Sequence, residues 1–139
     1  MGWTHEVLTL RTSGRGLTDV GRRVASVVAA SGVREGQCHV FCQHTSCSLL
    51  LAENASPDAA ADLMAFLERI APDGDPLHTH VAEGPDDMPA HLRAALTRSS
   101  ECIPVLDGRL ALGTWQGLFL LEHRLRGSVR RLVVQVTGD

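Results

Sequence analysis

The chain of 139 residues contains no lysine, so all 13 of its basic residues are arginine. The absence of lysine excludes Schiff-base chemistry and lysine nucleophiles. A bound phosphate or carboxylate must therefore be met by arginine, by histidine or by backbone N–H groups. The arginines are scattered and the formal net charge is -3, so the sequence has no long-range attraction for phosphate backbones or anionic lipid. We expect neither nucleic acid nor a membrane as a partner.

Targeting, membrane and metal-finger signals are also missing. No segment reaches the length of about 20 apolar residues that a membrane span needs, and the first residues lack the basic and apolar regions of a secretory signal. The four cysteines have no CxxC spacing, and we interpret them as reduced core residues rather than metal ligands or disulfides. Together these features predict a cytoplasmic protein.

The overall composition is that of an ordinary globular protein. Hydrophobic residues make up 44% of the chain and charged residues 21%, which is close to the average and sufficient for a packed core. We find no internal repeat, low-complexity tract or linker. The sequence therefore predicts one domain over residues 1–139.

Hydrophobic periodicity predicts a mixture of strands and helices. Strands are predicted at 5–11, 38–43, 47–52, 102–106, 109–112, 117–123 and 129–136, and helices at 17–30, 57–70 and 89–97. The second helix is the best marked, with Ser56 as its N-cap and Pro57 at its first position. A loop is expected between residues 72 and 89, and tight turns at Asp107-Gly108 and near Arg126-Gly127. This order favours an α+β fold with a compact antiparallel sheet or sandwich and two to three helices.

The chain contains seven histidines, and several of them are candidate site residues. His44 opens a turn between two predicted strands, and His78 and His80 share one side of the chain if that segment is extended. Carboxylates and His91 follow within 13 residues of His78, and His with carboxylate is a ligand set for zinc or manganese as well as for acid–base catalysis. No HExxH motif is present, so a charged solvated loop is the alternative.

Two further segments contain candidate residues. Asp62 lies beside the apolar stripe of the second helix, where it is either a surface residue or a site residue that faces a pocket. The segment Gly113-Thr114-Trp115-Gln116-Gly117 is not a Walker loop, but its glycines permit close backbone approach to a ligand. The alternative is a β-bulge with Trp115 in the core.

Taken together, several motifs resemble the YjbQ family of small bacterial and archaeal proteins. The motifs are His44-Thr45-Ser46, Glu53-Asn54, Asp58, Asp62, His80, Glu83-Gly84-Pro85-Asp86-Asp87-Met88-Pro89-Ala90-His91, Gly113-Thr114-Trp115-Gln116-Gly117 and Glu122-His123-Arg124. The resemblance implies a compact α+β fold and a homotrimer. It also implies a weak, secondary thiamine-phosphate synthase activity, which joins a hydroxymethylpyrimidine diphosphate to a thiazole phosphate and releases pyrophosphate. Cys47 stands where a smaller residue such as alanine is expected.

The residues and the resemblance together give a specific site hypothesis. The catalytic residues are predicted to be His44, Asp62, His80 and His91. The substrate-binding residues are predicted to be Ser46, Asn54, Glu83, Gly113, Thr114, Trp115, Gln116 and Arg124. In this hypothesis Asp62 orients an imidazole, Arg124 supplies the fixed positive charge, and His44, His80 and His91 bind either the phosphate directly or a divalent metal such as zinc, manganese or magnesium.

Two other functions use the same residues. The first is a non-catalytic trimeric module that binds a phosphorylated metabolite. The second is a metal-dependent hydrolase. In each case the expected partner is a phosphorylated small molecule.

Overall fold

A computed structural model describes residues 2–139, and within them the chain forms two antiparallel sheets and three helices. The strands are β1 (Gly2–Arg11), β2 (Gly16–Asp19), β3 (Gly36–Cys42), β4 (Cys47–Glu53), β5 (Ser100–Leu106), β6 (Arg109–Leu110), β7 (Gln116–Glu122) and β8 (Val129–Gly138). The helices are α1 (Gly21–Ser31), α2 (Pro57–Ile70) and α3 (Asp87–Leu96). The predicted α+β fold with antiparallel pairing is confirmed.

The two sheets enclose the core. The larger sheet has the strand order β1-β8-β3-β5-β6, and the smaller has the order β2-β7-β4. One apolar cluster joins Leu8 and Leu132 of the larger sheet to Leu49 and Leu120 of the smaller sheet and to Val24 of α1. The core therefore lies between the sheets, with α1 packed against it.

Local sequence signals place several element ends where the sequence predicts them. The Ser56 hydroxyl accepts a hydrogen bond from the backbone N–H of Ala59 at the start of α2, at 3.3 Å. Gly32 ends α1 with a left-handed φ of 74°. Asp107 and Gly108 both have positive φ in the turn between β5 and β6, which suits a two-residue hairpin.

Two predicted helix starts are wrong. Residues 17–19 belong to β2, which pairs with the edge of β7, and the Asp19 carboxylate accepts the N–H of Gly21 where the strand gives way to α1. Helix α3 begins at Asp87, two residues before Pro89. Proline is tolerated in the first turn because its missing N–H would have no partner there.

The interpretation of all four cysteines as core residues is correct for three of them. Cys38, Cys42 and Cys47 are buried, whereas Cys102 is exposed. Side chains alternate along β5, so Ile103 points into the core and Cys102 points outward, where its thiol donates to Gln37 Oε1 at 3.1 Å. All four thiols are free.

Among residues 2–139, none of the helices has the length and apolar character needed to cross a membrane.

Candidate functional site

The first turn of α3 and the loop before it bring two histidines to one carboxylate. Asp87 and His91 are four residues apart on α3 and therefore share a face. The Nε2 atoms of His80 and His91 lie 2.8 Å and 3.0 Å from Asp87 Oδ2. One donor atom from each of the three residues falls within 4.8 Å of the other two. We call these three residues the His80–Asp87–His91 cluster.

Arg124 holds the carboxylates of this region in place. Its Nη1 donates to Asp87 Oδ1 at 2.7 Å and its Nε donates to Asp86 Oδ2 at 3.0 Å. Its Nη2 donates to the backbone oxygen of Glu83 at 3.0 Å, so Glu83 contributes its carbonyl to this network. The guanidinium of Arg124 thus orients the acidic loop, and its contacts in the structure are with protein oxygens rather than with an open anion site.

The charge of Asp87 follows from these contacts. Burial would raise the pKa of the Asp87 carboxyl, but the hydrogen bond from His80 and the charges of His91 and Arg124 outweigh it. The pKa of Asp87 therefore lies below its usual value, and the carboxylate is ionised at neutral pH.

Thr45 fixes the proton position on His91. The Nδ1 of His91 lies 2.8 Å from the backbone oxygen of Thr45, which can only accept a hydrogen bond. Nδ1 must therefore carry a proton, so Nε2 is the nitrogen that donates to Asp87 when it is protonated and that can bind a cation when it is not. This arrangement, in which a carbonyl holds the far nitrogen of an imidazole, is common around metal-ligating histidines.

His44 lies near the cluster but is not part of it. Its Nε2 accepts the backbone N–H of Arg131 at 2.9 Å, which occupies the lone pair that a metal would need. Asp87, which is not among the predicted site residues, supplies the third donor atom in place of His44. Burial and the nearby charge of Arg130 lower the pKa of His44, which favours its neutral form.

Two cavities flank the cluster. The first has a volume of about 550 Å³ and is lined by His44, Thr45 and His91 together with small residues of the α3 end. The second has a volume of about 380 Å³ and is lined by His80, His78, other residues of the 74–85 loop and Met88 in the first turn of α3. The two histidines of the cluster therefore face different cavities.

Asp62 does not take the predicted orienting role. It is exposed on α2, and within residues 2–139 it has no hydrogen-bond partner. Leu67 is the buried residue of α2, while Phe66 remains 48% exposed, so the stripe beside Asp62 faces solvent more than the core. The carboxylate that contacts the imidazoles is Asp87.

The predicted ligand-binding segment 113–117 forms a turn at the far end of the smaller sheet. Asn54 Nδ2 donates to the backbone oxygens of Thr114 and Gln116 at 3.3 Å and 3.1 Å, and Gly113 N–H donates to Gln116 Oε1 at 2.8 Å. In the β4–β7 register Glu53 pairs with Gln116 at that end, and Cys47 pairs with Glu122 at the end near the histidines. Six residues of strand separate the two ends by about 20 Å.

Trp115 is 66% exposed, so the alternative that places it in the core is wrong, and its predicted substrate-binding role stays a prediction. We expect Trp115→Ala to lower the free energy of unfolding by less than about 1 kcal/mol, because surface substitutions rarely cost more. Leu120→Ala, at a fully buried position, should cost about 2–5 kcal/mol. Denaturant unfolding of both variants checks the difference, and equal losses would contradict the exposed placement.

A buried ion pair anchors the 43–46 loop that carries His44 and Thr45. Arg130 pairs with Glu122, and its Nη2 also donates to Ser46 Oγ at 3.0 Å. Thr12 Oγ1 donates to Glu122 Oε1 at 2.5 Å. Burial would raise the pKa of Glu122, but the hydrogen bonds from Arg130 and Thr12 outweigh it and lower the pKa. The predicted substrate residue Ser46 is thus engaged by this pair.

His123 lies behind the site in a fully buried position. Its Nε2 is 2.8 Å from Ser48 Oγ, which in turn is 2.5 Å from Thr97 Oγ1 on the wall of the first cavity. Burial, followed by the charge of Arg93, lowers the pKa of His123 to about 4. His123 is therefore neutral in the folded protein at neutral pH.

We expect His123 to make stability depend on pH. The unfolded chain takes up the proton near the ordinary pKa of 6.5 and the folded protein only near 4, so the unfolded state binds more protons between these values. The contribution of His123 is present above about pH 6.5, and about 3 kcal/mol is lost as pH falls toward 4.

Denaturant unfolding at pH 7.5, 6 and 4.5 measures this dependence. His123→Gln should have a flatter stability profile over this range, whereas His39→Gln, at a half-buried position of β3, keeps His123 and should retain the pH dependence that His123 confers. Identical profiles for wild type and His123→Gln would refute the assignment.

Comparison with known proteins identifies relatives along the whole chain. A family described as "UPF0047 protein YjbQ-like" matches residues 6–139. A UPF0047 protein of Synechocystis sp. is 48% identical over 135 residues, which cover 97% of this chain and 92% of the relative. The UPF0047 protein YjbQ of Escherichia coli O157:H7 is 38% identical over 138 residues and 99% of both chains.

Solved structures have the same fold. A YjbQ/UPF0047 family protein from Clostridium acetobutylicum matches with a TM-score of 0.84 and 35% identity, over 95% of this chain and 99% of the other. A conserved hypothetical protein from Thermus thermophilus matches with a TM-score of 0.84 and 32% identity, again over 95% and 99%. None of these four names states a reaction or a ligand.

Proposed function

Because the chain belongs to the YjbQ-like UPF0047 family, we propose that it is a metal-dependent enzyme that acts on a phosphorylated small molecule at the His80–Asp87–His91 cluster. The convergence of three donor atoms within 4.8 Å carries this proposal. Two imidazole nitrogens and one carboxylate oxygen suit zinc or manganese, and three protein ligands leave coordination positions open for a substrate. This set replaces the predicted set of His44, His80 and His91.

The surroundings of the cluster support a metal site. The Thr45 carbonyl holds the Nδ1 proton of His91, which leaves Nε2 for a cation. Arg124 binds the other oxygen of Asp87 and keeps Oδ2 directed toward both imidazoles. A divalent ion would polarise a phosphate oxygen and neutralise charge on a leaving diphosphate.

The specific reaction we propose is thiamine-phosphate synthesis. The thiazole nitrogen would attack the pyrimidine methylene, forming a C–N bond while the C–O bond to the diphosphate breaks. Two cavities, of about 550 Å³ and 380 Å³, lie on either side of the cluster, which suits a reaction with two substrates. Neutral His44, whose Nε2 accepts from Arg131, has its Nδ1–H available as a donor to a substrate oxygen.

An assay of purified protein with both substrates and Mn²⁺ or Mg²⁺ tests the proposal. We expect thiamine phosphate and pyrophosphate in equal amounts, and we expect a chelator to abolish both. Product formation that is unchanged by the chelator would contradict the metal requirement. The absence of product at enzyme concentrations near those of the substrates would contradict the synthase activity.

A metal-dependent hydrolase is the second candidate function, because the same three ligands leave room for a metal-bound water. Release of phosphate from a single substrate, without the second one, distinguishes it from the synthase. A non-catalytic binding module would instead show a ligand-dependent rise in the unfolding midpoint with no product.

We also propose that the protein is a homotrimer, as the family resemblance implies. The outer face of the larger sheet supports assembly, because Val7, Val133 and Phe41 lie in one row across β1, β8 and β3, with Val7 and Phe41 exposed. Light scattering across micromolar concentrations should give three times the chain mass of 14.9 kDa. A monomer throughout that range would contradict the trimer.

We further propose a cytoplasmic location. Cys42 and Cys47 are in contact as free thiols, a state that a reducing compartment maintains.

A further inference from the structure

The loop that carries His44 and Thr45 is bracketed by two cysteines. Cys42 ends β3 in the larger sheet and Cys47 begins β4 in the smaller sheet. Their Sγ atoms are 3.4 Å apart, and the two residues are 2% and 1% exposed. The pair thus joins the two sheets at the base of the 43–46 loop.

We propose that Cys42 and Cys47 are a redox pair, and that their disulfide, formed by hydrogen peroxide, reshapes the 43–46 loop and weakens cation binding at the His80–Asp87–His91 cluster. The consequence for cation binding depends on the metal site proposed above. Formation of the disulfide does not depend on it.

The contacts assign a different role to each sulfur. The hydrogen bond from the Cys47 thiol lowers the pKa of Cys42, the backbone N–H of His44 and the charge of Arg130 act in the same direction, and burial acts against them. We assign the attack on the peroxide to Cys42, and Cys47 is then the resolving thiol. The proposal requires hydrogen peroxide, which is little larger than water, to reach sulfurs that are 2% and 1% exposed.

Formation of the Cys42–Cys47 disulfide by hydrogen peroxide takes two steps. The Cys42 thiolate attacks one peroxide oxygen, the O–O bond breaks, and a sulfenic acid and hydroxide form. The Cys47 sulfur then attacks the sulfenyl sulfur, an S–S bond replaces the S–O bond, and the leaving hydroxide takes the Cys47 proton as water. In total two thiols and one peroxide give one disulfide and two waters. A dithiol reductant reverses the change.

The disulfide would affect the site through Thr45. The sulfurs must approach from 3.4 Å to about 2 Å, which draws the two ends of a four-residue loop together. Thr45 lies in that loop, and its carbonyl holds Nδ1 of His91 at 2.8 Å. Loss of such a partner typically weakens metal binding by about 10–100-fold.

The first experiment detects the bond itself. Full-length protein with Cys102→Ala, which removes the exposed thiol, is treated with hydrogen peroxide and then with catalase. We expect two of the three remaining thiols to disappear, with a mass loss of two hydrogens and a peptide that links Cys42 to Cys47. A Cys47→Ala variant of the same protein should not form the link. Persistence of both thiols, or stable sulfinic acid at Cys42 without the link, would overturn the proposal.

The second experiment measures Mn²⁺ affinity of the reduced and oxidised forms. We expect about tenfold weaker binding after oxidation and full recovery with a dithiol. Equal affinity with the disulfide present would overturn the effect on the site. If the reduced protein binds no Mn²⁺, the metal proposal fails, while the thiol count and the linked peptide still decide whether the redox pair exists.

Discussion

The double variant His80→Ala/His91→Ala is expected to lose divalent-metal affinity by more than about 100-fold, because loss of a single outer partner of a ligand already costs up to that factor. Both imidazoles place Nε2 within 3.0 Å of Asp87 Oδ2, so their removal leaves one carboxylate of the three-residue set. The proposed thiamine-phosphate synthesis should fall to the level of a protein-free control. Calorimetric titration with Mn²⁺ and the product assay measure the two effects.

Asp62→Asn provides the matched control for this variant. Asp62 is a site residue in the sequence-based hypothesis, yet it is exposed on α2 without a hydrogen-bond partner among residues 2–139. The variant should bind Mn²⁺ and turn over substrate as the wild type does. Wild-type affinity in the double variant, or loss of binding in Asp62→Asn, would show that the cluster is not the site.

Glu122→Gln is expected to destabilise the fold by about 3 kcal/mol or more. The substitution leaves the buried guanidinium of Arg130 without a counter-charge, and removal of one partner of a buried ion pair usually costs about 3–5 kcal/mol. Because Arg130 also binds Ser46, the 43–46 loop should loosen as well. Denaturant unfolding at pH 7.5 measures the loss.

An exposed ion pair offers the comparison. Asp107→Asn removes the partner of Arg34, and both side chains of that pair are mostly exposed. Exposed pairs contribute about 0–1 kcal/mol, and asparagine tolerates the positive φ of this position. A loss for Glu122→Gln as small as that for Asp107→Asn would contradict a structural role for the buried pair.

Parts of the fold that depend on local chemistry could be predicted from the sequence. Ser56 and Pro57 mark the start of α2, and Gly32 marks the end of α1, because caps depend on neighbouring backbone groups. Residues 17–19 could not be placed in this way. They have the apolar spacing of a helix, but they form a strand because they pair with β7, which lies about 100 residues later in the chain.

The sequence predicted several of the residues that form the site, but it did not predict which of them contact one another. The family motifs contain His80, His91 and Asp87. The predicted helix begins at Pro89 and so leaves out Asp87, whereas the observed helix begins at Asp87 and places it one turn before His91 on the same face. Asp62, which was selected because it lies beside the apolar stripe of α2, is on a different helix. The contacts of Thr45 with His91 and of Arg130 with Ser46 join distant parts of the chain, so no local sequence pattern predicts them.

The length of the smaller sheet limits which of the predicted site residues one small molecule can contact within a single chain. β4 and β7 place the 113–117 turn and the histidines at opposite ends, about 20 Å apart. A single small substrate shorter than this distance cannot touch both regions of the same molecule. If neighbouring copies supply one motif each to a shared reaction, catalysis should fail on dilution at the concentration where the copies separate.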